Sequence, residues 1–114
     1  MSMPQDKLTR EISTKCGVTL NDSVEGRVIA GVMGQKPGVS VTYYPAMIRI
    51  DGEGRLEFDM AELSEALGYE LTPSLFEVET STHYGRMVRF DEKIVLFGRL
   101  EDALQYEEEL DQEA

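Results

Sequence analysis

Two side chains in this sequence have the chemistry for nucleophilic or proton-transfer catalysis, Cys16 and His83, and each is the only one of its kind. A cysteine nucleophile needs a helix N-terminus or a nearby base to lower its pKa. Neither accompanies Cys16, which sits in the strand-like run Lys15-Cys16-Gly17-Val18 and reads as a small buried hydrophobe. A single histidine cannot supply the two imidazoles of a His-based metal site within one chain. The run Asp51-Gly52-Glu53 opens like a calcium loop, with Glu62 at the twelfth position. Arg55 and Leu56, however, stand where that loop needs an oxygen ligand and a glycine. Gly31 and Gly34 fall inside a helical pattern, and no Gly-x-Gly-x-x-Gly follows a strand as phosphate binding requires. The residues therefore point to a chain without catalytic, metal or cofactor-binding residues, one that binds or regulates.

Composition narrows the partner. The 114 residues suit one domain, and 41% are apolar, enough for a packed core. One cysteine excludes an intramolecular disulfide. The opening MSMPQDKLTREIS is polar, without the apolar core of a secretory signal, and no run is long enough to span a bilayer, so a cytoplasmic address is expected. Eleven Lys and Arg stand against 22 Asp and Glu, a net charge of −11. Residues 99–114 hold seven of the acids and only Arg99 as a base. That balance argues against nucleic acid or an anionic membrane as partner and permits a basic protein surface. A solubilising acidic tail is the equally plain reading.

The elements that would position any site follow from periodicity. Cys16–Leu20 reads as a strand, and Asn21-Asp22-Ser23 offers N-cap chemistry for a helix with Val24, Val28 and Val32 on one stripe beside Ile29 and Met33. Val39, Val41 and Tyr43 alternate with polar residues, and Met47–Ile50 and Arg55–Phe58 read as a hairpin about the turn Asp51-Gly52-Glu53-Gly54. Asp59 caps a helix with Met60, Leu63 and Leu67 inward, closed by Gly68. Leu75–Thr80 alternates and reads as a strand, Ser81–Gly85 as a polar loop, and Met87–Phe90 and Ile94–Phe97 as a strand pair. A helix carrying Leu100, Ala103 and Leu104 comes last. The expected fold is α+β, in the order β-α-β-β-β-α-β-β-β-α, with mixed or antiparallel sheets packed with two or three helices. Residues 1–14 are expected as a mobile N-terminal arm, 15–106 as the folded domain and 107–114 as an acidic tail.

From Pro37 to Phe90 the chain resembles the regulatory, or coupling, proteins of soluble diiron monooxygenases, a family that includes those of the methane, phenol, toluene and propane enzymes. The resemblance lies in an ordered set: Pro37-Gly38 before a strand, Ala46-Met47-Ile48-Arg49-Ile50, Gly54 and Leu56, the helix end Glu65-Ala66-Leu67-Gly68, Leu75-Phe76-Glu77-Val78, and Ser81-Thr82 with Gly85. It implies a cofactor-free effector domain, monomeric when free. Such a domain docks on the diiron hydroxylase, meets the reductase only indirectly, and tunes oxygen activation, substrate access and the coupling of NADH use to product. An effector of this kind must bind one hydroxylase conformation better than another.

The family's docking loop falls here on Ser81, Thr82, His83, Tyr84 and Gly85, with Met47 and Arg49 on a neighbouring strand. His83-Tyr84 departs from the aromatic and methane relatives and is most similar to the short-chain alkane and cyclic-ether branch. Each residue has a plainer reading too: turn hydrogen bonds for Ser81 and Thr82, a surface hydrogen bond for His83, core packing for Tyr84 and Met47, and an ion pair within the sheet for Arg49. Two other functions fit the residues. A small-molecule-binding regulatory domain would carry a ligand pocket and form a homodimer, and a small enzyme would depend on Cys16 or His83.

Overall fold

A computed structural model describes residues 14–113; the expected N-terminal arm lies, except for Thr14, outside them. The chain runs β1 (Lys15–Asn21), α1 (Val24–Met33), β2 (Val39–Tyr44), β3 (Met47–Glu53), β4 (Arg55–Asp59), α2 (Met60–Leu67), α3 (Pro73–Glu79), β5 (Thr80–Tyr84), β6 (Arg86–Arg89), β7 (Lys93–Phe97) and α4 (Leu100–Glu113). Seven strands form two antiparallel sheets, a four-stranded one in the order β2-β3-β1-β5 and a three-stranded one in the order β4-β7-β6. The class is α+β as expected, with four helices among the described residues. None is long and apolar enough to cross a membrane.

Three local expectations are corrected. The stretch read as a strand at Leu75–Thr80 is mostly the helix α3, and the stretch read as a loop at Ser81–Gly85 is mostly the strand β5. Thr72 and Pro73 decide this: the Thr72 hydroxyl accepts from the Leu75 amide at 3.2 Å, and Pro73 occupies the first helical turn, where its missing N–H costs nothing. Asp51, Gly52 and Glu53 are strand rather than turn, and β3 and β4 do not pair. At Gly54, with φ of 77°, the chain instead leaves one sheet for the other. The acidic stretch at residues 107–113 belongs to α4.

Both sheets place alternate side chains in one main core. Val18 and Leu20 of β1 and Ile48 and Ile50 of β3 meet Leu56 and Phe58 of β4 and Ile94 and Leu96 of β7, under Ile29, Ala30 and Met33 of α1 and Leu63 of α2. The stripe expected on one face of α1 is rotated so that Ile29 and Met33 are buried with Gly26 and Ala30, Val28 and Val32 are half-buried, and Val24 is 76% exposed. The Ser23 cap, accepting from the Gly26 amide at 2.9 Å, sets that rotation. Strand β7 is buried on both faces, because Val95 and Phe97 point away from the main core into a second cluster with Val88 and Ala103, beneath α4.

The two sheets thus differ in cover. The three-stranded sheet is covered on both sides. The four-stranded sheet is covered on the side of Val18, Leu20, Ile48 and Ile50, while no described element lies over its other side. Its edge strands, β2 (VSVTYY) and β5 (TSTHY), contain no charged residue.

Candidate functional site

The uncovered side is built from the residues that alternate with the core. Met47, Arg49, Asp51 and Glu53 of β3 project there, because Ile48, Ile50 and Gly52 face in. Register places Asn21 opposite Met47, Thr19 opposite Arg49 and Gly17 opposite Asp51 on β1. Ser40, Thr42 and Tyr44 flank them on β2, and Thr82 and Tyr84 on β5. The result is a surface of hydroxyls and aromatics with one Met and four charges, Lys15, Arg49, Asp51 and Glu53, which cancel.

At its centre three side chains interact. The Tyr84 ring crosses β1 from the edge strand, and its hydroxyl donates to Asp51 Oδ1 on β3. Arg49 donates to the same oxygen at 2.8 Å, and its guanidinium lies 5.7 Å from the Tyr84 ring centroid. Partial burial pushes the Tyr84 phenol up to about 12, with the Asp51 hydrogen bond and charge adding and Arg49 opposing. Asp51 in turn raises the Arg49 guanidinium, first through the hydrogen bond and then through its charge. The ring crosses only because the strand beneath it is bare. A β-carbon at Gly17 would stand 2.9 Å from the Tyr84 ring and 2.7 Å from Asp51 Oδ1.

The seven residues singled out in the sequence are distributed unevenly. Arg49 and Tyr84 come together through Asp51, and Thr82 lies on the same side of β5 as Tyr84. Met47 is 41% exposed at the end of β3, not in the core. Ser81 sits where the β1–β5 register slips, a bulge between the Thr19–Thr82 and Leu20–Thr80 pairs. There its hydroxyl donates to Asn21 Oδ1 at 3.1 Å, which ties it to the Met47 end of the sheet. His83 is exposed and lies opposite Val18, on the other side of β5 from Thr82 and Tyr84. Gly85 shapes the backbone: at φ of 97° it passes the chain from the four-stranded to the three-stranded sheet, and a β-carbon there would be 2.7 Å from both Cys16 Cβ and the Phe97 carbonyl oxygen.

Asp51, Gly17, Asn21 and Tyr44 were not among the docking residues expected from the sequence. A glycine inside a strand pattern, as at Gly17, is a signal of close approach by another group, whereas the Asp51 partnership depends on strand register. Cys16 is fully buried and donates weakly to the Leu96 carbonyl at 3.6 Å. Burial, then the charges of Asp51 and Glu53, push its thiol up to about 11, the opposite of what a nucleophile needs. Cys16 and His83 do not come together: one is sealed in the core and the other stands at an exposed edge.

Residues 14–97 match the MmoB/DmpM family. The effector component of propane 2-monooxygenase from Mycolicibacterium smegmatis is 55% identical over 93% of this chain and 93% of its own length. The protein of the same name from Rhodococcus jostii is 56% identical over 84% and 85%. The fold is that of a chain in the phenol hydroxylase–regulatory protein complex, with a TM-score of 0.67 and 23% identity over 73% of this chain and 97% of that one. The chain belongs to the MmoB/DmpM family and is an effector, or regulatory, component of a multicomponent monooxygenase, auxiliary to the catalytic subunit.

Proposed function

We propose that this effector binds the diiron hydroxylase of its own system through the uncovered side of the four-stranded sheet. Bound there, it tunes oxygen activation and substrate access, and raises the share of NADH that ends in product. The observation that carries the reading is the make-up of that side. In a chain of net charge −11 it is the surface where charges cancel and where Tyr44, Met47, Arg49 and Tyr84 stand exposed or half-exposed. Aromatic residues, Met and Arg are enriched at the cores of protein interfaces, where other charges are depleted. Thr82 and Tyr84 lie within that surface, Ser81 and His83 at its β5 edge, and Gly85 sets the course of the chain beside it. The similarity to propane 2-monooxygenase effectors favours a hydroxylase that acts on a short alkane.

Titrating the protein into hydroxylase and reductase while recording product per NADH consumed tests this. A rise to a maximum near one effector per active site is expected; no dependence on the protein would refute it. Replacing Thr82, His83 and Tyr84 together by alanine should weaken hydroxylase binding with the circular dichroism unchanged, and unchanged binding would place the interface elsewhere. Among the described residues, the groove between α2 and the Asp91-Glu92 turn lies open to solvent and does not favour the small-molecule-binding alternative.

A further inference from the structure

Tyr84, Gly17 and Asp51 form one row across three strands: Tyr84 on the edge strand β5, Gly17 opposite it on β1, and Asp51 opposite Gly17 on β3. The row reaches across β1 because its middle member has no side chain. Besides the Tyr84 ring and Asp51, a β-carbon at Gly17 would meet the Ile50 carbonyl oxygen at 2.6 Å. The far end is fixed from a second direction, since Arg49 donates to the same Asp51 oxygen that accepts from Tyr84. At its other end β5 is loosened by the bulge at Ser81. The Tyr84–Asp51 hydrogen bond is therefore the side-chain tie that spans from this edge strand to the interior strand β3.

We propose that Gly17 and Asp51 are positioning residues for docking: Gly17 clears the path and Asp51 holds the hydroxyl, so that the Tyr84 ring and the edge strand that carries it are set before the hydroxylase arrives. The proposal rests on the reading of this side of the sheet as the docking surface. Its physical content is preorganisation. A side chain and edge strand already ordered in the free protein lose less freedom on binding, and affinity rises without any new contact. Neither residue need touch the partner. Asp51 is half-buried and engaged by two donors, and Gly17 has only hydrogen to offer.

Hydroxylase affinity and the ionisation of the Tyr84 phenol, followed by NMR of labelled tyrosine ring carbons, test it together. Asp51→Ala should weaken binding about threefold to tenfold, while Asp51→Asn, which keeps an oxygen acceptor for the phenol, should stay within about twofold of the parent. In a Tyr84→Phe background, Asp51→Ala should cost no further affinity, because the interaction it removes is already gone. Asp51→Asn should also bring the Tyr84 ionisation down by roughly one pH unit as the carboxylate charge disappears; Lys15, Arg49 and Glu53, the other charges on this side, are retained in that variant. Gly17→Ala should mimic Asp51→Ala in affinity where it folds, and Asp51→Ala carries the test where it does not. An equal loss from Asp51→Ala in the parent and in the Tyr84→Phe background would overturn the proposal, as would a Tyr84 ionisation indifferent to residue 51. Were Tyr84→Ala to leave hydroxylase binding unchanged, the docking surface itself would be refuted and the positioning role with it. The ionisation measurement would still report the contact and so tell the two failures apart.

Discussion

At the scale of single residues, two groups are held protonated by their surroundings. Cys16 is pushed up to about 11 and Tyr84 to about 12, against 9.0 and 10.0 in the open chain. Folded pKa values raised above the unfolded ones mean that the unfolded chain gives up protons first as the pH rises, so stability is complete below pH 9 and falls through pH 9–12. The loss from Cys16 should be on the order of 2 kcal/mol, seen in urea unfolding at successive pH values, with a shallower decline in Cys16→Ala. The same thiol should resist disulfide reagents until the protein unfolds. Gly85 presents a harder limit. Its left-handed backbone and the 2.7 Å approaches of Cys16 and Phe97 leave no room for a methyl group. Gly85→Ala should cost about 2–4 kcal/mol in urea unfolding.

Among the elements, strands whose alternation reflects one buried and one open side were legible. β3 and β4 follow the burial pattern that Ile48, Ile50, Leu56 and Phe58 announce. The α3–β5 stretch was misread because Phe76, Val78 and Thr80 alternate with Glu77 and Glu79 although only Phe76 is buried. Over so short a stretch, a helix with one anchoring aromatic is not distinguishable from a strand by period, and the Thr72-Pro73 start signal is the deciding feature. Thr72→Ala should therefore cost about 1 kcal/mol, read as a melting temperature lower by roughly 4–6 °C. The arrangement of the residues proposed for docking was not legible in the sequence. Tyr84 and Arg49 are 35 positions apart in sequence, and only the pairing of β5 with β1 and of β1 with β3 makes them neighbours. The hairpin expected around Gly54 failed for the same reason, since strands consecutive in sequence can belong to different sheets.

For the whole molecule, one sheet is covered on both sides and the other on one, so changes beneath α4 and changes on the open side are separable. α4 closes the three-stranded sheet through Tyr106, which packs against Phe97 and Phe90 at centroid distances of 5.3 and 5.9 Å and lies under the Arg55 guanidinium at 4.7 Å. Tyr106→Ala should cost about 2 kcal/mol and speed amide hydrogen exchange in α4. Hydroxylase binding should stay unchanged, because the four-stranded sheet does not depend on that helix. The edge strands have a different consequence. β2 and β5 lack the charged side chains that usually keep exposed strand edges from pairing between molecules. Mutual repulsion between copies, each carrying −11 at pH 7, then opposes such pairing. As the pH approaches the isoelectric point of about 4.4, that repulsion vanishes while the edge of β2, which holds neither acid nor base, stays bare. Light scattering should show reversible clustering there, suppressed by Thr42→Lys on β2: acidity, rather than the make-up of that edge, is what should hold copies apart.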